Sequence, residues 1–430
     1  MIVEFSVKNF KSFKEEASLS LLAEKKVSEL QAENIVDAGR YRLLKSAVIY
    51  GANGSGKSNL FKALMFMLQF IQNSSRETQL GDKIAVDSFK LSTETEGEAS
   101  SFEIVFLLAG LKYRYGFEVD QGKVQGEWLF MAEKVKEYEL FLREGDVIEV
   151  SSKFKEARGL ESRTRDNALF LSVAAQFNVD LAGKILEAAH SVNIISGLAD
   201  KSYEAFTVEL LEDESLKIKL LAYLNQADFG IVDIHKEMKT NFGQGLSLDQ
   251  EREAKKASAY SLQTRRDKFD DENAKVGLSK FDFNSEESEG TKKYFRFAGP
   301  LIDTLLNGRL LVVDELDARL HPSLTLNIIR MFNSIETNPK GAQLIFSTHD
   351  SNILASGLFR RDQICFTEKD QFGATDFYRL SDFKTSQVRK DANYERNYLK
   401  GRYGAIPFLG GFDFLAESNR KINVKDESEL

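Results

Sequence analysis

Eight residues near the start of the chain, Gly51-Ala52-Asn53-Gly54-Ser55-Gly56-Lys57-Ser58, constrain its fold more than any others. They fit the pattern G-x-x-x-x-G-K-[ST], a phosphate-binding loop. The glycines let backbone N–H groups turn inward as an anion nest, placed at a helix N-terminus where the dipole favours phosphate. The flanking residues meet that demand. Residues 47–50 are an apolar run of strand length, and Leu60, Leu64, Met67, Leu68 and Ile71 then share one helical face. The expectation is an α/β core with ATP or GTP on this loop. Lys57 would reach the β- and γ-phosphates, Ser58 would hold Mg²⁺, and Asn59 would complete the nucleotide-contacting set.

A second motif gives the loop its chemistry. Arg309 is followed by Leu310-Leu311-Val312-Val313 and then by Asp314 and Glu315. In a buried parallel strand this sequence puts Asp314 at the carboxyl end beside Mg²⁺. Glu315 then comes within reach of an attacking water, the general-base position of a hydrolase. Lys57 and Asp314 stand 257 positions apart, far more than one compact nucleotide domain needs. Two further motifs surround the acidic strand. Ser288-Glu289-Gly290-Thr291 opens a helical stretch and offers a hydroxyl and free N–H groups, a second phosphate-binding surface. Ser347-Thr348-His349-Asp350 ends the next strand and brings His349 near the γ-phosphate position.

Bulk properties set limits. The 430 residues are 42% hydrophobic and 29% charged, the composition of a soluble globular protein, and the length suggests two or three domains or one domain with large insertions. No apolar run reaches the roughly 18 residues of a membrane span. The opening Met1-Ile2-Val3-Glu4-Phe5 reads as a strand rather than a signal peptide, and the single cysteine, Cys365, excludes an internal disulfide. A reducing cytoplasm fits, with Cys365 a buried structural thiol. A net charge of −8 argues against a basic coat for nucleic acid, though a local basic groove or contact through a partner stays compatible.

The chain divides into five expected parts. Residues 1–85 form the N-terminal half of the core. Residues 86–148 alternate apolar and polar residues with glycine punctuation and form an antiparallel β subdomain. Residues 149–285 are a helical and charged insertion, with helical patterns at 168–178, 180–190 and 205–224. Within it, 249–275 carries seven acidic and seven basic residues and reads as a solvated loop or exposed helix. Residues 286–414 return to βα alternation with helices at 322–336 and 350–358, and 415–430 are a polar, flexible tail.

The order of these motifs resembles the ABC-type ATPase heads of SMC and RecF proteins. The opening IVEFSVKNFKSF is similar to their first strand and following turn, which implies Lys11 and Phe13 near the adenine or phosphates. DELDARLHPSL, LIFSTHD and GRYGAIPFL resemble RloA-type ATPases, a group that includes the AbiL-like ATPases of bacterial phage-defence loci. The fold implied is a P-loop ATPase head, with a parallel-sheet core, an antiparallel β subdomain and an inserted helical subdomain. The resemblance also implies a homodimer. ATP on one subunit would be covered by Ser288, Gly290 and Thr291 of the other, with Asp317 at the interface and His349 on the γ-phosphate. The Glu289-Gly290-Thr291 signature departs from the LSGGQ of transporters, and no apolar heptad run survives to build long arms.

The function expected is therefore a cytoplasmic regulatory ATPase of an anti-phage system, acting through a separate nuclease or toxin partner. A RecF-like DNA-repair ATPase is the alternative. His190 and His235, outside the motifs, read as structural. GRYGAIP reads either as a tight turn closing the domain or as a partner-docking site through Arg402 and Tyr403.

Overall fold

The computed structural model describes residues 1–77, 79–227, 229–238, 260–384, 388 and 392–407. Numbering strands, and helices of six residues or more, the chain opens with β1 (Ile2–Lys8), β2 (Ala17–Ser20), β3 (Ile35–Ala38) and β4 (Tyr41–Leu44). The nucleotide unit follows as β5 (Ser46–Gly51) and α1 (Lys57–Asn73). Next come β6 (Ser100–Leu108), β7 (Leu111–Val119), β8 (Val124–Ala132), β9 (Glu137–Glu144) and β10 (Val147–Val150). Helices α2 (Phe170–Gln176) and α3 (Asp180–His190) lead to β11 (Asn193–Ser196), then α4 (Glu204–Glu209) and α5 (Glu214–Asn225). Strands β12 (Asp233–Met238), β13 (Tyr260–Phe269) and β14 (Lys275–Asp282) precede α6 (Glu289–Asn307) and β15 (Leu310–Asp314). The chain continues through α7 (Pro322–Asn333), β16 (Gln343–Ser347), β17 (Ile364–Lys369), β18 (Thr375–Arg379) and α8 (Tyr394–Leu399).

Among these residues the strands assemble into four sheets. The core sheet runs β11-β15-β16-β5-β17-β18, parallel throughout except for β18. All six residues of β5 are buried because helices or sheet cover both faces. Ala47 and Ile49 pack with Leu60, Leu64 and Met67 of α1, while Val48 and Tyr50 pack with Phe295, Leu301 and Ile328 of α6 and α7. The opposite flank of α1 meets a seven-stranded antiparallel sheet, β10-β9-β8-β7-β6-β1-β2, through Phe102 and Phe117. Helix α1 thus lies between two sheets, and its burial fixes where its N-terminus sits.

Several stretches differ from the sequence expectation. Residues 2–20, expected in the core, instead extend the antiparallel sheet, because β1 pairs with β6. The charge-dense 249–275 contains a strand rather than a solvated loop or exposed helix over its described part. In β13, Leu262 and Thr264 are buried while the charged residues beside them stay outward. Its charges hid a period of two. The segment 239–259 lies outside the described residues, as does 415–430. The insertion is not only helical: β11 joins the core sheet, and β12–β14 form a sheet of their own. The helix expected over 350–358 is a single turn, Asn352–Ala355. No described helix is long and apolar enough to cross a membrane.

One buried carboxylate docks the insertion to the antiparallel sheet. Glu127 of β8 has no exposed surface and accepts hydrogen bonds from Phe170 N (2.6 Å), Leu171 N (3.0 Å) and Tyr115 Oη (2.9 Å). It thereby satisfies the free N–H groups that start α2, although burial raises its pKa. Glu127→Ala would orphan these donors and is expected to cost about 2–4 kcal/mol of stability. Denaturant unfolding checks this, and a loss below 1 kcal/mol would contradict it.

Candidate functional site

The carboxyl ends of β5, β15 and β16 lie side by side, and the three motifs of the sequence meet there. The loop after β5 takes left-handed backbone at Gly54 (φ 76°) and Gly56 (φ 116°), where a side chain is strained. A Cβ on Gly56 would also come to 2.5 Å from Thr375 Oγ1. Lys57, 5% exposed, turns back and donates to the carbonyls of Gly51 (2.8 Å) and Ala52 (3.0 Å). Burial pulls its ammonium below the ordinary lysine value, against the raising fields of Asp314, Glu315 and Asp317. These three carboxylates are therefore close enough to Lys57 to act on it. Ser58 and Asn59 are half-buried, while Ala52 and Asn53 line the outer side of the loop.

Asp314 ends β15 and accepts a hydrogen bond from Ser347 Oγ at 2.6 Å. The same oxygen accepts from the backbone N–H of Glu315 at 2.8 Å. One hydroxyl at the end of β16 thus fixes both acidic residues. Glu315 itself has φ 58°, a left-handed conformation rare for a residue with a side chain. Asp317 Oδ1 is buried with no described hydrogen-bond partner. His349, just past β16, is exposed.

Helix α6 begins at an exposed corner. Ser288 caps it, accepting from Thr291 N at 3.1 Å, and Gly290 lies near Arg319 O, which a Cβ would approach to 3.7 Å. Thr291 is buried, whereas Ser288 is exposed and Gly290 half-buried. The signature therefore neighbours the loop after β15 of its own chain.

The N-terminal turn reaches the phosphate loop through a residue that the sequence did not single out. Ser12 Oγ accepts from Asn59 Nδ2 (2.8 Å) and pairs with Thr375 Oγ1 (2.8 Å), while Thr375 donates to Ser55 O (2.9 Å). Thr367 Oγ1 sits 2.6 Å from Ser55 Oγ. Ser12, Thr367 and Thr375 thus buttress the loop from behind. The only sequence signal for Thr367 was a hydroxyl inside a buried apolar strand. Phe13, expected near the base, is instead wholly buried among core residues such as Phe10 and Phe102. Lys11 pairs with Asp87 at 2.6 Å. Tyr403, considered as a docking residue, is buried in the core and its carbonyl accepts from Tyr378 Oη at 2.7 Å. Gly401 and Gly404 are both left-handed, so GRYG makes a tight turn, with Arg402 exposed on it. Burial pushes the Cys365 thiol up to about 12, so it is a structural thiol.

The residues suit Mg²⁺–ATP. The glycines leave room for phosphate, Lys57 supplies a charge whose hydrogen bonds among the described residues go to the carbonyls of Gly51 and Ala52, and Ser58 and Asp314 would supply hard oxygen ligands. No group of three or more His, Cys, Asp or Glu side chains placed to hold a metal ion occurs among the described residues.

A strand–loop–helix phosphate site, with a carboxylate pair at the end of β15 one strand beyond β16, defines a P-loop ATPase of α/β fold. A family profile matches residues 46–355, and the chain belongs to that family, described as "AAA domain, putative AbiEii toxin, Type IV TA system". Among solved structures the chain is similar to the SMC head domain from Thermotoga maritima, at 12% identity and a TM-score of 0.41, covering 88% of this chain and 98% of that one. A search of curated proteins gives no match.

Proposed function

We propose that the chain hydrolyses Mg²⁺–ATP as a regulatory ATPase, two copies meeting head to head around the nucleotide. The observation that carries this reading is the meeting of Lys57, Asp314 and Glu315 at one sheet edge, with Ser347 tying the two acids together. Lys57 exchanges its carbonyl partners for the β- and γ-phosphates, and the N–H groups of the loop cradle them. Ser58 and Asp314 hold Mg²⁺, which neutralises phosphate charge when bound. Glu315 accepts a proton from the attacking water as its oxygen bonds to the γ-phosphorus and the bond to ADP breaks. His349 contacts the γ-phosphate.

Ser288, Gly290 and Thr291 of a second copy close the site, and Asp317 lies at that interface. A phosphate buried between two anion-seeking surfaces holds the copies together until hydrolysis releases them, so turnover switches dimer geometry. The family's description, which names an AbiEii toxin and a type IV toxin–antitoxin system, supports a role in bacterial defence. We assign the damaging activity to a separate effector protein in the cytoplasm.

Mass photometry of Glu315→Gln protein tests the dimer. The mass is expected to double with Mg²⁺–ATP and to stay monomeric with ADP. A single unchanged mass in both conditions would count against it.

A further inference from the structure

The left-handed turn at Glu315 is held from a direction that none of the nucleotide motifs explains. Strand β11 comes from the insertion, pairs in parallel with β15 and ends beside Asp314. The next residue, Gly197, donates its N–H to Asp314 O at 2.7 Å. Its α-carbon lies so close to the Glu315 peptide that any Cβ would overlap the carbonyl oxygen of Glu315. Only glycine fits there. From the other side, Lys293, the fifth residue of α6, donates to Gly197 O (2.9 Å) and to Ala318 O. One ammonium thus bridges the end of β11 and the loop that carries Glu315 and Asp317.

Lys293 is 1% exposed and makes no ion pair within 4 Å among the described residues. Asp200, the acid whose field acts on it most, is engaged by Arg296 at 2.7 Å and approached by Arg319 at 3.7 Å. Burial pulls the Lys293 ammonium down to about 8, opposed by the fields of Asp200 and Asp317. A buried cation held only by peptide carbonyls is costly, and a fold that needed merely to fill this space would use an apolar side chain.

The rest of α6 fastens the same segment. Asn193 Nδ2 donates to Asp303 Oδ2 and Thr304 Oγ1, both at 3.1 Å. Arg296 also reaches Glu204 at 2.6 Å, and Thr207 Oγ1 donates to Arg296 O at 2.6 Å. Residues 193–207 are therefore bolted along α6, and their tip rests on the peptide of the proposed general base.

We propose that Gly197 and Lys293 are positioning residues for Glu315, a brace that holds its backbone in the left-handed turn and its carboxylate in place for water activation. This rests on the ATPase reading above. Neither residue touches nucleotide; both act through the Asp314-to-Ala318 loop. Because Gly197, one half of the brace, comes from the insertion, a displacement of residues 193–207 would lower turnover without touching the phosphate loop.

The test measures steady-state Mg²⁺–ATP hydrolysis, binding of a fluorescent ATP analogue and thermal unfolding on full-length protein. The set is wild type, Glu315→Gln, Gly197→Ala, Lys293→Met and Lys293→Arg. Lys293→Met keeps the stem length and removes the charge, so it guards against a Gly197→Ala protein that does not fold. The expected result for Lys293→Met is a kcat about tenfold or more below wild type, with KM and analogue affinity within about twofold, as misplacement of a reacting group predicts. Lys293→Arg should recover part of the loss. Faster hydrogen exchange at the amides of Glu315 and Leu316 in Lys293→Met should accompany it. A wild type that turns over, with Lys293→Met at the same kcat, overturns the brace alone. Equal loss of kcat and affinity, or an arginine variant no better than methionine, also overturns it. A wild type without ATP turnover overturns the ATPase reading, and the brace with it.

Discussion

Glu315→Gln is expected to lower ATP turnover by about 10²–10⁴-fold while leaving ATP affinity nearly unchanged, the range typical of removing a general base. The amide has the same shape as the carboxylate, so the backbone bond from Glu315 N to Ser347 Oγ and the left-handed turn persist. What disappears is the capacity to take a proton from water. Binding should survive because, in the proposed reading, the phosphates are held by Lys57, the loop N–H groups and Mg²⁺, none of which the substitution touches. Phosphate release and analogue binding, measured on the same preparation, separate the two. A fall in turnover below tenfold would remove Glu315 from the role of base.

Lys57→Ala is expected to fail at the opposite step. A charge-assisted bond from ammonium to phosphate is worth about 1.5–3 kcal/mol, so ATP affinity should fall by roughly 10- to 150-fold. The unliganded protein should be little affected. Burial of the Lys57 ammonium is itself unfavourable, and its removal offsets the loss of the bonds to Gly51 and Ala52. The contrast is visible in thermal unfolding: Mg²⁺–ATP should raise the Tm of the wild type, and at the same ATP concentration hardly that of the variant. An equal ligand-induced rise in both proteins would show that Lys57 does not hold the phosphates.

The sequence was most informative where chemistry leaves little choice. The glycine positions, Lys57 and the apolar run into Asp314 and Glu315 are each dictated by what phosphate and a buried parallel strand require, and the structure brings them to one edge. It was silent where support comes from a distance. Ser12, Thr367 and Thr375 are ordinary hydroxyl residues whose roles exist only because the fold brings them to Ser55 and Gly56. Phe13 illustrates the converse: a motif residue placed at the site by resemblance is drawn into the core by its own hydrophobicity. In β13, charge density masked an alternating pattern that paired strands exposed. Gly197 could not have been picked out, since nothing local marks a glycine that must admit a neighbouring peptide.

The buttress behind the phosphate loop has a consequence for how the protein is made. Ser12 emerges early in synthesis, the loop at 51–58 soon after, but Thr367 and Thr375 arrive more than three hundred residues later. Long-range contacts of this kind form last and slow folding. A nascent chain on the ribosome therefore carries the complete nucleotide motif long before it has the walls that shape it. The site matures only once the chain as far as Thr375 is available. A half-built chain is in this way kept from engaging nucleotide productively.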